Sequence, residues 1–204
     1  MPRFPQTARR LDGIGGSVFE RFRPRLRSLA TRPVKLHIGD AADPPDFPLP
    51  IDPAWRAAHP HWNQYPSTTG VGRLRRALAD HHRDVHRLST EAENVLVAPG
   101  ATSALSATVQ ALVDPGDEVV VLTPSWPFFR GMVRMAGAVV REVPLYTEAD
   151  RDTAVARLAD AIGPSTAMLY LNTPNNPSGR VLDAATLREI LALAEHHDLW
   201  VVSD

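Results

Sequence analysis

The sequence predicts an α/β fold, a mostly parallel β-sheet with helices on both faces. Downstream of Val95, short apolar runs alternate with stretches in which apolar residues recur with a helical period. Such alternation is typical of parallel sheets, because a connection between parallel strands crosses over through a helix. The composition, 44% hydrophobic and 22% charged, is that of a globular protein.

The predicted elements follow one another at regular spacing. We predict strands over 95–98, 118–122, 138–143, 167–171 and 199–203, and helices over 102–113, 126–136, 152–162 and 183–197. The first of these helices has one apolar face, formed by Leu105, Val109, Leu112 and Val113. The last begins after a capping Asp183 and has a face formed by Leu187, Ile190, Leu191 and Ala194.

The first 35 residues are strongly basic, with eight arginines and Lys35 against Asp12 and Glu20. An Arg-rich transit peptide would have this charge. We prefer an N-terminal arm that lies on the protein surface or on a partner subunit, because prolines interrupt an amphipathic helix. These prolines are Pro2, Pro5, Pro24 and Pro33.

A proline-rich connection over 44–50 marks a domain boundary near residue 46. A helical stretch follows, with Leu74, Leu78, His81 and Val85 near one face. We assign residues 1–45 to the arm and the start of a small domain, and residues 46–204 to the main α/β domain.

Polar residues follow two of the predicted strands. Asn176 lies in the turn 173–179, and Asp204 follows the apolar run 199–203. Because ligands of open α/β sheets bind at the carboxyl ends of the strands, we expect the amide and the carboxylate in the same crevice.

A glycine turn precedes the helix predicted at 102–113. Gly100 has no side chain to block an anion, and the amides near Ala101 and Thr102 have no partner within the helix. A phosphate can accept hydrogen bonds from these amides at the positive end of the helix dipole, although an ordinary strand-to-helix turn has the same sequence. A phosphate cradle, an amide and a carboxylate suit a phosphorylated heteroaromatic cofactor.

Seven short motifs, in order between Leu36 and Asp204, resemble those of the class I and II aminotransferases, the fold-type I enzymes of pyridoxal 5′-phosphate. They are Ile38-Gly39-Asp40, Tyr65 with Gly70 and Leu74-Arg75, Gly100-Ala101-Thr102, Pro115-Gly116-Asp117, Pro124-Ser125-Trp126, Asn175-Asn176-Pro177-Ser178-Gly179, and Ser203-Asp204. Each motif is weak alone, whereas the ordered set is specific. The resemblance implies that residues 46–204 are an incomplete pyridoxal-phosphate-binding large domain.

The resemblance also implies a role for each site residue. The turn Gly100, Ala101 and Thr102 holds the cofactor phosphate, Trp126 stacks on the pyridine ring, and Asn176 donates to the phenolic oxygen. Asp204 keeps the pyridine nitrogen protonated, so that the ring accepts electrons. Tyr65 reaches the phosphate of the neighbouring subunit's site, which implies a homodimer, and Gly39 approaches the substrate carboxylate.

No residue of this chain is assigned as catalytic. The family's Schiff-base lysine lies a few tens of residues beyond the Ser-Asp motif, and Lys35, the only lysine here, lies far from that position. Imine chemistry needs such an amine. We therefore expect the N-terminal half of an enzyme that transfers an amino group from an amino acid to a 2-oxo acid, inactive and poorly soluble by itself.

Composition argues against several other classes. A net charge of −1 gives no general attraction to nucleic acid or anionic lipid, and no apolar run approaches the ~20 residues of a membrane span. The absence of cysteine is compatible with a cytoplasmic enzyme. His82 and His86 have the spacing of a helical metal pair but no third ligand in a known pattern, so we favour a solvated helix face over zinc.

Other functions remain open on the sequence. One is a lyase or synthase that uses the same cofactor, and another is a noncatalytic module of the same fold. A dinucleotide-binding oxidoreductase has less support, because no Gly-x-Gly-x-x-Gly follows a strand.

Overall fold

The computed structural model describes Leu11, Ile14, Asp43 and residues 18–31, 51–147 and 151–204. Its helices are α1 Val18–Arg27, α2 Pro53–Ala58, α3 Gly72–His86, α4 Ala101–Leu112, α5 Pro127–Met135, α6 Arg151–Ala161 and α7 Ala184–His196. Its strands are β1 Glu118–Leu122, β2 Val139–Val143, β3 Thr166–Leu171 and β4 Trp200–Ser203. Contacts divide the chain into two units, Gly16–Ala98 and a second that joins Met1–Gly15 to Pro99–Asp204.

The second unit contains a four-stranded sheet in the order β2-β1-β3-β4, and every neighbouring pair is parallel. Strand β1 lies inside the sheet, where Val119, Val120 and Val121 are fully buried. A strand that is covered on both faces needs a nearly continuous run of apolar residues. The sequences of β1 and β3 contain such runs. The predicted α/β class is therefore confirmed.

Helices cover both faces of this sheet. Helices α6 and α7 pack on one face, where Leu158 and Ile190 join Val120 and Leu169 in one core cluster. Helices α4 and α5 pack on the other face, where the cluster includes Val109, Phe129, Val133, Val119, Val121 and Tyr170. Alternate residues of each strand enter opposite clusters, as the two-residue period of a strand requires.

The predicted boundaries within this unit are accurate to one residue for α4–α7 and β1–β4. Asp183 caps α7, since its carboxylate accepts a hydrogen bond from the amide of Thr186 at 2.7 Å. The predicted apolar face of α7 is partly wrong: Ile190 and Ala194 are buried, but Leu191 is 48% exposed. Leu191 is next to Ile190 in sequence, and adjacent positions on a helix do not share a face.

The strand predicted at 95–98 does not form. Val95 has an extended backbone (φ −108°, ψ 123°), but it follows a short 3₁₀ turn, Ala92–Asn94. Among the described residues, its segment has one backbone bond to another segment, from the amide of Val97 to the carbonyl of Thr69 at 3.1 Å. A strand needs a ladder of bonds to a neighbour, and no described strand lies beside this segment.

The unit Gly16–Ala98 contains α3, whose predicted apolar residues Leu74, Leu78 and Val85 are all more than a third exposed. The helix is confirmed, but its apolar face is not buried within the described part of the unit. The prediction that prolines interrupt an N-terminal helix is wrong for Pro24, which lies inside α1. The fixed φ of proline is compatible with a helix, so the destabilisation of α1 by Pro24 comes from a lost hydrogen bond and local crowding.

Arg75 connects α3 by hydrogen bonds to the segments on either side of the helix. Its guanidinium donates to the carbonyls of Val95 at 2.8 Å and Ala92 at 2.5 Å and to the hydroxyl of Thr69 at 3.0 Å. Gly70 lies nearby with φ 105°, and a Cβ there would approach Val97 Cγ2 to 2.5 Å. The motif residues Gly70 and Arg75 therefore have structural reasons to be present.

None of the helices within the described ranges is long and apolar enough to cross a bilayer.

Candidate functional site

The polar residues of the predicted site follow the carboxyl ends of neighbouring strands. Asp204 comes directly after β4, and its amide donates to the carbonyl of Leu171 in β3 at 3.0 Å. Its main-chain carbonyl accepts from Asn172 Nδ2 at 2.6 Å. Its carboxylate accepts from the hydroxyl of Tyr170 at 2.6 Å, through Oδ2. The backbone and one carboxylate oxygen of Asp204 are thus held by β3 and the residue after it.

Asn172 is the link between Asp204 and Asn176. While its Nδ2 donates to Asp204, its Oδ1 accepts from the amide of Asn176 at 2.5 Å. Asn172 is itself anchored by Tyr146, whose hydroxyl donates to the Asn172 carbonyl at 2.5 Å and accepts from the Asn172 amide at 3.1 Å. The structure therefore connects two predicted site residues through a third that the sequence analysis did not select.

The turn that carries Asn176 is shaped by Asn175. The buried side chain of Asn175 donates to the carbonyl of Pro124 at 3.0 Å and accepts from the amide and hydroxyl of Ser178. Pro124 follows β1, so this contact joins the ends of β1 and β3. Asn176, in contrast, is exposed, and only its backbone is engaged in the bonds described above. Its side chain is available to a ligand.

Burial and the Asp204 carboxylate both affect Tyr170. Burial raises the pKa of the Tyr170 hydroxyl, and its hydrogen bond to Asp204 raises it further. Burial likewise raises the pKa of Tyr146, against the opposing effect of its bond to Asn172. Both hydroxyls are therefore protonated donors at neutral pH.

Gly100 is the N-cap of α4, with φ 87° and no atom of the described residues within 4 Å of the position that a Cβ would occupy. The first bonds of the helix run from Ser103 and Ala104 to the Gly100 carbonyl. The preceding amides, of Ala101 and Thr102, come before the first helical bond and point out of the helix. All three predicted phosphate residues are exposed, so an anion can approach their donors.

Trp126 is the N-cap of α5 and is half-buried, with its ring 5.1 Å from that of Phe128. It lines a cavity of about 800 Å³ between α4 and α5 together with Thr102. The structure thus brings these two predicted residues to one cavity, whose lining includes neither Asn176 nor Asp204.

Two predicted residues are not placed in this arrangement. Tyr65 belongs to the unit Gly16–Ala98 and is fully exposed. Gly39 lies outside the described residues, as does Lys35.

His82 and His86 contact each other edge to face, with ring centroids 5.6 Å apart, and the described residues contain no group of three or more metal-binding side chains.

Sequence reasoning missed four polar residues at these strand ends. Tyr170, Asn172 and Tyr146 form the network around Asp204. The hydroxyl of Ser125 is buried and has no hydrogen-bond partner among the described residues. A signal existed for Tyr170 and Asn172, because a tyrosine lies within an otherwise aliphatic strand run and an asparagine directly follows that run.

The residues present fit a phosphorylated heteroaromatic ligand. Exposed helix amides beyond an open glycine position can bind an anion. A carboxylate with one engaged oxygen can pair with a protonated ring nitrogen. A half-buried indole can cover a ring face.

Comparison with known proteins identifies relatives of the same kind. The sequence profile of the family "Aminotransferase class I and II" matches residues 33–204. The chain is 40% identical over 166 residues to the aspartate/prephenate aminotransferase of Thermus thermophilus, covering 80% of this chain and 43% of that protein. It is 37% identical over 175 residues to the arginine–pyruvate transaminase of Pseudomonas aeruginosa, covering 83% and 43%.

A solved structure shares the fold. A double mutant of the aspartate aminotransferase of Thermus thermophilus superimposes with a TM-score of 0.80 at 36% identity, covering 98% of this chain and 53% of that one. The chain spans about half the length of the relatives it matches. With a family profile that extends over residues 33–204, the chain belongs to the class I and II aminotransferases.

Proposed function

We propose that this chain supplies the cofactor-binding part of an aminotransferase that moves an amino group from an amino acid to a 2-oxo acid. Class I and II aminotransferases depend on pyridoxal 5′-phosphate. The single observation that carries the proposal is the fixed Asp204, which directly follows β4, is bonded to Leu171 and Asn172 through its main chain, and has one carboxylate oxygen bonded to Tyr170.

Each proposed role follows from the chemistry of the residue. The amides of Ala101 and Thr102, beyond Gly100, would hold the phosphate, and Trp126 would cover the ring. Asn176 would donate its side-chain amide to the phenolic oxygen. Asp204 would hold a proton on the ring nitrogen, where the bound cofactor supplies an electron sink for the substrate carbanion.

Other parts of the proposal concern regions beyond this site. Tyr65 would reach the phosphate in a partner subunit, which makes the assembled enzyme a homodimer, and the full exposure of Tyr65 supports this role. Gly39 would approach the substrate carboxylate. The enzyme would be cytoplasmic, and residues 46–204 would form part of its large domain. This chain alone would be inactive, since Lys35 is its only lysine.

Titration of the chain with pyridoxal 5′-phosphate, followed by absorbance, tests the proposal. Asp204→Asn removes the charge and keeps the shape, so we expect cofactor affinity to fall at least about tenfold, the effect of ~1.4 kcal/mol. Asp198→Asn is the matched control, because Asp198 is exposed at the opposite end of β4 and its φ of 57° is one that asparagine accepts.

Two results would contradict this function. One is a folded chain that does not bind the cofactor or binds it equally well after Asp204→Asn. The other bears on inactivity: borohydride reduction that labels Lys35, together with transaminase turnover by this chain, would show that no further lysine is needed.

A further inference from the structure

We propose that Tyr170 is a positioning residue, which holds Oδ2 of Asp204 so that the other carboxylate oxygen is presented to the ring nitrogen of the cofactor. The inference rests on the proposed function and adds to it a residue from the middle of the sheet. It starts from the 2.6 Å bond between the Tyr170 hydroxyl and Oδ2.

Tyr170 is rigid enough for this task. Its side chain is fully buried, and its ring stacks on Phe129 with centroids 3.7 Å apart and planes at 14°. Strand pairing places Tyr170 opposite Val121 in β1 and Val202 in β4. A hydroxyl on a side chain locked by packing costs little conformational entropy when it orders a partner.

Asp204 needs such a partner because its other contacts within the described part of the chain do not restrain its carboxylate. The bonds to the Leu171 carbonyl and from Asn172 Nδ2 both involve the main chain of Asp204. The residue is exposed, and β4 is at the edge of the described sheet. An exposed carboxylate rotates freely unless something holds an oxygen.

The phenol is suited to donate, not accept. Its raised pKa keeps it protonated at neutral pH, and the groups facing it are Asp204 and, more distantly, Tyr146. A neutral donor orients the carboxylate without neutralising its charge, as a cation would. The charge of Asp204 is therefore retained for the ring nitrogen.

The test compares two ligands with Tyr170→Phe, which removes the hydroxyl and keeps the ring on Phe129. The ligands are pyridoxal 5′-phosphate and its 1-deaza analogue, in which carbon replaces the ring nitrogen. In the unsubstituted chain we expect tighter binding of the nitrogen-containing ligand. In Tyr170→Phe this preference should fall on the order of tenfold, as expected for one lost hydrogen bond to a charged group, while the affinity for the deaza analogue is unchanged.

A second readout does not depend on affinity. Cofactor labelled with nitrogen-15 in the ring reports the protonation of that nitrogen by its chemical shift. In Tyr170→Phe the apparent pKa of the bound ring nitrogen should fall toward that of the free cofactor, because the carboxylate spends less time beside it. A higher pKa in the variant would overturn the proposal.

Tyr146→Phe is the matched control. It removes a hydroxyl of the same kind from a buried tyrosine of the same network, but that hydroxyl contacts Asn172 and not the carboxylate. Asn172 bonds the main chains of Asp204 and Asn176, so any loss of affinity in Tyr146→Phe should be the same for both ligands, and the preference between them should be unchanged. In an Asp204→Asn background, Tyr170→Phe should have no further effect on that preference.

The outcomes separate this inference from the proposed function. If the unsubstituted chain binds both ligands equally, Asp204 does not face the nitrogen and both proposals fail. If it prefers pyridoxal 5′-phosphate and Tyr170→Phe keeps the full preference, or loses affinity for both ligands equally, only the positioning role fails.

If Tyr170→Phe does not fold, an NMR measurement on the unsubstituted chain tests the positioning role of Tyr170. In protein labelled with carbon-13 at tyrosine Cζ, the Tyr170 signal is the one that persists in Tyr65→Phe and Tyr146→Phe. It should shift on binding of pyridoxal 5′-phosphate more than on binding of the deaza analogue. Equal shifts would overturn the proposal.

Discussion

At the scale of single residues, the adjacent Asn175 and Asn176 have opposite roles. Asn175 is 3% exposed and uses its side chain to bind Pro124 and Ser178, so it holds the turn together. Asn176 is exposed and is held by its backbone, through Asn172. The two side chains are chemically identical, and burial is the physical difference between the structural residue and the one available to a ligand.

Alanine substitutions should separate these roles. Asn175→Ala removes the buried side chain that bonds Pro124 and Ser178, so we expect it to lower the free energy of unfolding by about 1–3 kcal/mol. Asn176→Ala keeps its backbone bond and should change stability by less than about 0.5 kcal/mol while weakening the binding of pyridoxal 5′-phosphate. Urea unfolding and cofactor titration measure the two effects. Equal loss of stability in both variants would contradict the assignment.

At the scale of the element, the N-termini of α4 and α7 differ in what bonds their first amides. The N-terminus of α4 begins at a glycine without a side-chain cap, which leaves its amides to a ligand. The N-terminus of α7 is capped internally by Asp183. The difference follows from residue type, because glycine has no acceptor to offer and aspartate has a carboxylate.

The Asp183 cap should make the stability of α7 depend on pH. The Thr186 amide holds the pKa of Asp183 below its ordinary value of 3.8, so the carboxylate stabilises the fold above that value. This contribution is lost as pH falls through the lowered pKa of the folded state. Asp183→Ala should therefore melt at a lower temperature than the unsubstituted chain at neutral pH, and the gap should narrow toward about pH 3.

Thermal unfolding followed by circular dichroism measures that gap across the pH range. Asp183→Ser is the control, because serine caps a helix without a titratable group. Its melting temperature should stay close to that of the unsubstituted chain at neutral pH. A gap between Asp183→Ala and the unsubstituted chain that stays constant down to about pH 3 would show that the carboxylate is not the cap.

At the scale of the whole molecule, much apolar surface lies on the outside. Trp200 in the edge strand β4 is 56% exposed, and Leu96 and Val181 are exposed to a similar or greater extent. Exposed edges with apolar side chains pair with other chains. The residues described here thus present surface suited to contact with further protein.

The chain by itself should self-associate and have low solubility. Sedimentation velocity at increasing concentration should show growing species, and Trp200→Lys should reduce them because lysine disfavours pairing at a strand edge. Trp62→Lys is the control, since Trp62 is 54% exposed but lies outside the sheet. A dispersed monomer with a sharp, cooperative melt would contradict this prediction.

The α/β class and the elements α4–α7 and β1–β4 were predictable from the amino-acid sequence, because their apolar periodicity is local information. The sequence also located Gly100, Trp126, Asn176 and Asp204 at helix starts and strand ends. It misplaced a strand at 95–98, since an extended segment becomes a strand only beside a partner.

The contacts between the strand ends, in contrast, arise from folding. Tyr170, Asn172 and Tyr146 are separated from Asp204 by 32 or more positions, and parallel pairing of β3 with β4 brings the first two beside it. The same packing buries Asn175 and leaves Asn176 exposed. Hydrogen bonds between distant residues depend on register and burial, which no local pattern contains.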